Sequence, residues 1–501
     1  MVSPSDYLYL AFAGILFYCY KFYKKVATLP EGPFALPILG NIHQIDFTNT
    51  QEWLEEVSKQ FGNVFTIFMP VPIVVLMDFD SINECLHLNG IDTCGRQLRN
   101  PEILLSMIPN GGISTSMGEN WLEQRKATLH FLRNIGLKTN KIESSILKSV
   151  QDFVTMIESS KHKQSFDITF PAKFFVANVL HDIIFNYRYE IYNNYNLRTF
   201  IANLELTNQQ LRSHVTYIFA QYIPYFPYLY HILLLVTGKL VFRVNKMFQF
   251  VKDEVNKSRV FYDERKEPQS FTEAYLRRIA ISKDSHSLFT KDQLENNALN
   301  LFTSGHDVTS EMIRACITLL AKNPSIQNEM RKEMNLNNNA DTITLSEKIN
   351  LVYCSSAIFE LTRCANIVPF SLLHAATKEV KLKNHTIPAG TVIMANLCNV
   401  HKNDKNFTNP DAVVGDRFIN KETNKLNKAL LDKLIVYGCG SRKCVGSDIV
   451  SIKLFLLITN LVKRYKITVI DEEFYEKEEN VHIKFNNITK INLKKFHFDS
   501  V

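Results

Sequence analysis

The sequence lacks any Cys-x-x-Cys pair, any dense block of like charge and any glycine-rich dinucleotide-binding fingerprint. Its nine cysteines are scattered and odd in number, which favours free thiols in a reducing compartment over a disulfide scaffold. The formal net charge of +7 is spread over 501 residues, so the charge pattern does not indicate a nucleic-acid partner. A content of 46% hydrophobic and 21% charged residues excludes a globally disordered chain.

The N-terminal residues predict a membrane anchor. Tyr7–Tyr20 contains no charged residue, and three lysines follow within Lys21–Lys25. Basic residues on the C-terminal side favour a lumenal N-terminus and a cytosolic remainder. A buried amphipathic helix is the alternative interpretation. We therefore predict an anchor at 1–25, a proline-rich hinge at 26–45 and one large domain at 46–501.

The stretch Tyr437–Gly446, Tyr-Gly-Cys-Gly-Ser-Arg-Lys-Cys-Val-Gly, presents a cysteine in a glycine-rich loop before a mostly apolar run. Glycines permit the tight path that a thiolate needs to reach a haem iron, so we interpret Cys444 as an iron ligand. Arg442 is placed to pair with a haem propionate. A glycine turn that contains a buried structural cysteine is the alternative. Zinc shared with Cys439 is disfavoured, because no histidine pair or further cysteine lies nearby in the sequence.

Two upstream segments carry charges suited to one buried cluster. Glu360 and Arg363 share a helix face at a spacing of three, and Arg417 follows an Asn-Pro turn. A Glu-x-x-Arg pair alone is common on surface helices. Here the residues after the pair are extended and contain turn residues, so the pair precedes a small sheet.

These pieces, in this order, resemble a cytochrome P-450, a haem-thiolate monooxygenase, over almost the whole chain. Glu360, Arg363 and Arg417 match the family's folding triad, and Tyr437–Gly446 matches its cysteine loop, with Tyr437 where phenylalanine is usual. The resemblance implies a mainly α fold with a smaller β region, the cytochrome P-450 fold. It also implies haem b (iron protoporphyrin IX) as cofactor in a catalytic domain at 46–501.

Within the family the sequence is most similar to the animal microsomal group of steroid- and drug-hydroxylating enzymes, with a nematode-like character. Leu36–Asn41 and Gly118–Arg125 carry that likeness. The resemblance implies that haem is held by a set of residues beside Cys444: Arg96, Trp121, Arg125, His374, Tyr437, Gly440 and Arg442. It implies a substrate pocket lined by Ile367, Val368, Phe370 and Leu373.

A long helix is predicted from a capping box at Thr290-Lys291-Asp292-Gln293 to about Leu320. Its centre, Ser304–Thr309, resembles the family's oxygen-activation segment, in which a glycine opens a notch beside the iron and an acid and a threonine relay protons. Gly305 and Asp307 match the family pattern, but Val308 occupies the threonine position. Valine cannot donate or accept a hydrogen bond.

Because Val308 replaces the threonine, we expect protons to reach the bound oxygen by way of another residue. Thr309 matches the family's second hydroxyl but is rotated by ~100° from Val308 around the helix. Ser304, one turn earlier, shares the face of Val308 and replaces the usual alanine. The candidate catalytic residues are therefore Asp307, Thr309 and Ser304, with the serine hydroxyl, a substrate hydroxyl or a water delivering protons.

The remaining expectations concern partners. Residues 215–238 are uncharged and rich in tyrosine, which suits contact with a lipid bilayer or internal packing. With no flavin or dinucleotide segment in the chain, electrons are expected from an NADPH-cytochrome reductase, with cytochrome b5 as a second donor. The candidate basic contacts are Lys126, Arg133, Lys138, Lys433 and Lys443.

The predicted reaction is insertion of one oxygen atom from O2 into a lipophilic substrate such as a sterol, fatty acid or xenobiotic. The predicted location is the endoplasmic reticulum membrane. The alternatives are a haem-thiolate enzyme that rearranges peroxides without a reductase, which the loss of the relay threonine favours, and a non-catalytic haem-binding relative.

Overall fold

A computed structural model describes residues 4–96, 105–160, 166–211, 229–282, 287–337, 341–469 and 482–487. The helices are α1 Pro4–Val26, α2 Thr50–Phe61, α3 Phe79–Asn83, α4 Gly118–Thr139, α5 Lys141–Ser159, α6 Thr169–Phe185, α7 Tyr195–Leu211, α8 Leu229–Val260, α9 Phe271–Ile281, α10 Lys291–Lys322, α11 Pro324–Asn337, α12 Val352–Ala365, α13 Leu397–His401, α14 Lys428–Asp432 and α15 Ser447–Arg464. Most of the predicted lipid-contact segment 215–238 lies outside the described residues.

The strands are short. They are β1 Val64–Met69, β2 Val71–Leu76, β3 Gly95–Arg96, β4 Phe166–Asp167, β5 His374–Ala375, β6 Val380–Leu382, β7 His385–Ile387, β8 Val392–Ala395, β9 Ile419–Asn420, β10 Lys425–Leu426, β11 Tyr465–Val469 and β12 His482–Asn487. A mainly α fold with a smaller β region is thereby confirmed.

The largest sheet has the order β1-β2-β8-β5-β3. Strands β2 and β8 run parallel, and the other neighbours in this sheet are antiparallel. The pairing of β3 with β5 places Arg96 directly opposite His374, although 277 residues separate them in the chain. This register brings two of the predicted site residues together.

Helix α10 runs through the centre of the main hydrophobic core. Its apolar side chains Leu299, Phe302, Ile313 and Ile317 are fully buried, and the core also takes residues from α4 to α9, α11, α12 and α15. At ~1.5 Å per residue the helix is roughly 48 Å long, which is enough to cross the domain. The predicted long helix is therefore confirmed, with its C-terminus two residues beyond the expected position.

The N-terminus of α10 departs from the predicted capping box. Thr290 accepts a hydrogen bond from the backbone N–H of Gln293 at 3.2 Å, as expected of an N-cap. The Gln293 side chain, however, accepts the backbone N–H of Gly112 at 3.0 Å. Gln293 therefore connects the helix to the loop that precedes α4.

Glu360, Arg363 and Arg417 form one buried cluster. The Arg363 Nε and Nη2 atoms lie 2.8 and 2.9 Å from the two carboxylate oxygens of Glu360, and Arg417 Nε lies 2.8 Å from Oε1. Arg363 Nη1 also donates to the carbonyl of His401 at 2.8 Å. The cluster thus joins α12 to residues 401–417, just before the cysteine loop. Removing one member of such a buried pair costs about 3–5 kcal/mol.

The segment predicted as a hinge is attached to the sheet. The side-chain oxygen of Asn41 accepts the backbone N–H of Phe68 at 2.8 Å, and the Phe22 ring packs 5.2 Å from that of Phe68. Preceding this segment, α1 exposes apolar side chains such as Leu10, Phe12 and Ile15, each at least 60% accessible. Among the helices that the structure describes, none combines the length and hydropathy of a bilayer-crossing segment.

Candidate active site

The cysteine loop is fixed by contacts of its backbone. Gly440 adopts a φ of +69°, and a Cβ added to it would lie only 1.6 Å from the carbonyl oxygen of Leu86. Ser441 donates its hydroxyl to the carbonyl of Gly90 at 2.6 Å. The loop is therefore docked against the π-helical turn Glu84–Leu88 and the residues that follow it, and only glycine fits at position 440.

Within the loop, the backbone N–H of Cys444 donates to the carbonyl of Tyr437 at 3.0 Å. Helix α15 begins three residues after Cys444, with Gly446 as its N-cap residue at a φ of −95°. That backbone conformation is open to residues other than glycine. Desolvation by the surrounding protein raises the pKa of the half-buried Tyr437 phenol to about 12.

The Cys444 side chain is accessible to solvent although protein atoms surround it on most sides, so it lies on the wall of a cleft. Burial raises the pKa of the Cys444 thiol, whereas a hydrogen bond from the Gly446 backbone and the charges of Arg125 and Lys443 lower it. Backbone N–H groups and cations near a sulfur favour its thiolate form. The site can therefore hold an anionic sulfur once a metal replaces the proton.

Three arginines converge beside the cysteine loop. Arg442 donates to the carbonyls of Cys94, Ile113 and Ser116 at 2.8, 3.3 and 2.6 Å. Its guanidinium lies 3.9 Å from the centre of the Trp121 ring. Burial, together with the positive charges of Arg96 and Arg125, lowers the pKa of Arg442 to about 8.

Arg125 and Arg96 are held in the same way. Arg125 donates to the carbonyl of Lys443 at 2.5 Å, and its pKa is lowered by burial. Arg96 donates to the carbonyls of Ser114 and Leu373, each at 3.0 Å. Within the described residues, neither Arg125 nor Arg442 has a carboxylate partner. Concentrated, partly desolvated positive charge of this kind favours an anionic ligand.

The residues present fit haem. The indole Nε1–H of Trp121 is buried without an acceptor in the described structure, and it lies beside Arg442. A buried donor and a cluster of arginines match the acceptor oxygens and negative charge of the two haem propionates. The accessible sulfur of Cys444 would supply a thiolate ligand to the iron of such a haem.

His374 lies behind Arg96 and is buried. Its Nδ1 donates to the carbonyl of Thr93 at 3.1 Å, because a carbonyl oxygen can only accept. Burial and the charges of Arg96 and Arg442 lower the pKa of His374 to about 3. The imidazole is therefore neutral and able to lie beside cations.

The predicted catalytic residues of α10 lie on different faces of the helix and differ in their exposure to solvent. Ser304 is exposed and Val308 half-buried, whereas Thr309 is buried at 3% accessibility. Asp307 is half-buried. The Ser304 hydroxyl donates to the carbonyl of Asn300 at 2.5 Å.

Gly305 is directed away from the open face of α10. A Cβ added to it would lie 3.2 Å from both methyl carbons of Leu180 on α6. The small size of Gly305 therefore serves the packing of α10 on α6, and its role in a notch beside the iron stays a prediction.

The residues predicted to line the substrate pocket differ in burial. Ile367, Val368 and Phe370 are half-buried, but Leu373 packs in the sheet cluster with Phe65, Ile73 and other residues. Its neighbour Leu372 is 53% exposed. Leu373 is therefore buried in the sheet cluster, and its place in the substrate pocket stays a prediction.

Lys453 is a residue near Cys444 that the sequence patterns did not indicate. This lysine of α15 is 1% exposed, and its charge interacts with that of Cys444. Burial lowers the pKa of Lys453 to about 7. The available signal was a single charged residue within the apolar stretch Ile449–Val462, because lysine is almost never fully buried and its position inside an apolar run is unusual.

The family model for Cytochrome P450 matches residues 30–492. The chain belongs to the cytochrome P450 family, whose members are haem-binding monooxygenases. It is 28% identical to Cytochrome P450 2C23 of Rattus norvegicus over 89% of this chain and 88% of that protein. It is 27% identical to Cytochrome P450 2C8 of Homo sapiens over 89% of each chain. It is 26% identical to Cytochrome P450 2H1 of Gallus gallus over 94% of this chain and 93% of that protein.

Replacing Gly440 by alanine is expected to abolish haem binding. The added methyl group would collide with the Leu86 carbonyl, so the loop and Cys444 must move. The measurement is the haem content of purified protein, read as the ratio of Soret to protein absorbance.

Gly390→Ala is the matched control, since Gly390 also has a positive φ, +79°, but nothing lies within 4 Å of its added Cβ. The control should lose ~1 kcal/mol of stability and keep its haem. Equal haem content in the two variants would contradict this view of the loop.

Proposed function

We propose that this chain inserts one oxygen atom from O2 into a lipophilic substrate, using electrons that a separate flavoprotein reductase takes from NADPH. Sterols, fatty acids and xenobiotics are the substrate classes. Cytochrome b5 is a second candidate donor. The observation that carries the proposal is the accessible Cys444 thiol in a cleft beside three half-buried arginines. Family membership supplies the reaction class, and the cleft supports its application to this chain.

Each group of site residues has a proposed role. Cys444 binds the iron, and the Gly446 N–H and Arg125 favour the charge on its sulfur. Arg96, Arg125, Arg442 and the Trp121 indole hold the propionates, with His374 as a neutral support for Arg96. When bound, haem supplies activation of O2 and transfer of an oxygen atom to a C–H bond. The protein supplies orientation, charge and protons.

Proton delivery is assigned to the open face of α10. Val308 has no hydroxyl, and Thr309 is buried on another face of the helix. Ser304 alone among these three presents an exposed hydroxyl, which at rest donates to the Asn300 carbonyl. Rotation about one side-chain bond turns that proton toward the cleft. Asp307, half-buried on the next turn, is the proposed source from which the proton is replaced.

The lipid bilayer is the proposed environment of the N-terminus. Aromatic and aliphatic side chains of α1, including Tyr9, Leu10 and Phe12, are more than 60% exposed. Tyrosines are enriched at membrane interfaces. We propose that α1 is the single N-terminal anchor in the endoplasmic reticulum membrane, with the catalytic domain in the cytosol. The reductase then approaches the cysteine side, where Lys443 is exposed.

Turnover should require both NADPH and the reductase. The experiment supplies the purified protein, reconstituted with reductase in phospholipid vesicles, with a panel of sterols, fatty acids and xenobiotics. Substrate-induced shifts of the Soret band identify binders, and oxygenated product is measured for each binder. Cys444→Ser is the control and should yield no product.

Two outcomes support other functions. Isomerised product from a lipid hydroperoxide without NADPH would assign the chain to the peroxide-rearranging enzymes, for which Val308 is the supporting observation. A thiolate-haem spectrum without turnover of any substrate would favour a non-catalytic haem protein. Either result contradicts the proposed monooxygenase.

Ser304→Ala is expected to reduce the product formed per NADPH consumed by several-fold, because reduced oxygen would be released unused without a proton donor. Thr309→Val is the matched control, since it removes a hydroxyl from a buried position and should leave this ratio unchanged. Val308→Thr should raise the product formed per NADPH consumed. The three variants are compared by parallel measurement of NADPH oxidation, product and hydrogen peroxide. An unchanged ratio in Ser304→Ala would remove the serine from the mechanism.

A further inference from the structure

Three carboxamide side chains follow one face of α10 and bind the loop before α4. Gln293, Asn296 and Asn300 are spaced three and four residues apart, as neighbours on a helix surface are. Gln293 accepts the N–H of Gly112 at 3.0 Å, and Asn296 accepts that of Met107 at 2.5 Å. Each contact holds the loop 105–117 by its backbone, independently of the loop's side chains.

Asn300 makes the pair of contacts closest to the proposed haem site. Its side-chain oxygen Oδ1 accepts the backbone N–H groups of Ile113 and Ser114 at 3.1 and 3.2 Å. The carbonyls of these two residues accept from the arginines: Ile113 O from Arg442 Nη1 at 3.3 Å, and Ser114 O from Arg96 Nε at 3.0 Å. One carboxamide oxygen and two guanidinium groups thus hold the same two loop residues.

The contact of Asn300 with the loop is close and buried. Asn300 is 5% exposed, and a Cβ added to Gly112 would lie 2.2 Å from its Oδ1 atom. Gly112 also has a φ of +75°, so a glycine is required for the loop to approach the helix. Loss of the carboxamide would leave two backbone donors without their acceptor, and each such donor costs about 1–3 kcal/mol when it stays buried. The loop would move to find other acceptors, and its carbonyls would move with it.

We propose that Asn300 is a positioning residue that sets Arg96 and Arg442, and through them the orientation and retention of the haem propionates. The inference rests on the proposed haem site. It adds to that site a residue of α10 that lies one turn before Ser304. Asn300 therefore connects the face of α10 that bears Ser304 with the residues that hold the cofactor.

The test compares variants that keep or remove the acceptor oxygen. Asn300→Asp keeps an oxygen toward both loop amides, whereas Asn300→Leu has similar volume and no acceptor. Asn297→Leu is the matched control, because Asn297 is an equally buried carboxamide of α10 that donates instead to Gln124 at 2.7 Å. Asn300→Ala serves if the leucine variant does not fold. Haem release is measured by transfer from the holoenzyme to apomyoglobin, and the propionate bending modes are measured by resonance Raman spectroscopy.

Asn300→Leu is expected to release haem about tenfold faster, the change that ~1.4 kcal/mol of lost stabilisation produces, with shifted propionate modes. Asn300→Asp and Asn297→Leu should retain the wild-type values. Equal release from the leucine variants at 297 and 300, or release from Asn300→Asp as fast as from Asn300→Leu, would overturn the inference while leaving the haem site intact. A wild-type protein without a thiolate-haem spectrum would overturn both.

Discussion

The close approach of Gly440 to the Leu86 carbonyl determines where the reactive sulfur of this protein lies. The carbonyl oxygen of Leu86 lies 1.6 Å from the position that a Cβ on residue 440 would occupy. Any side chain at residue 440 would therefore push the loop away from Leu86. Cys444 follows four residues later, held by its own N–H on the Tyr437 carbonyl. The backbone contacts of Gly440 and Cys444, together with the side-chain hydrogen bonds of Ser441 and Arg442, therefore fix the position of the sulfur.

The other parts of the site are arranged around this loop. The Glu360 cluster joins α12 to residues 401–417, which lead into the loop, while Arg442 within the loop binds the carbonyls of 94, 113 and 116. The sheet contributes Arg96 through its register with His374. Helix α10 contributes the open face of Ser304 and Val308 and the carboxamides that hold the loop 105–117. Several distant segments of chain thus place positive charge beside the sulfur of Cys444.

Local patterns predicted the local features of this structure. The length of α10, its cap at Thr290 and the Glu360–Arg363 pair follow from helix periodicity and short spacings. The resemblance to the cytochrome P-450 family supplied Arg417 and the gathering of residues around Cys444, which no local rule gives.

The features that were missed depend on contacts distant in sequence. The Gln293 side chain leaves its expected cap for Gly112, 181 residues away, and Gly305 faces Leu180 of another helix. Leu373 is buried in the sheet cluster whereas Leu372 is 53% exposed, a difference that depends on packing against the sheet and that the sequence pattern alone does not give. Lys453 lies in an apolar helix whose buried face only the packing of α15 defines.

The most direct test of the account is the carbon-monoxide difference spectrum of the reduced protein, recorded for the wild type and for Cys444→Ser. The account predicts the red-shifted Soret band of thiolate-bound carbonyl haem in the wild type and its loss in the variant. A colourless wild-type protein after expression with ample porphyrin precursor, or an unchanged band in Cys444→Ser, would contradict it.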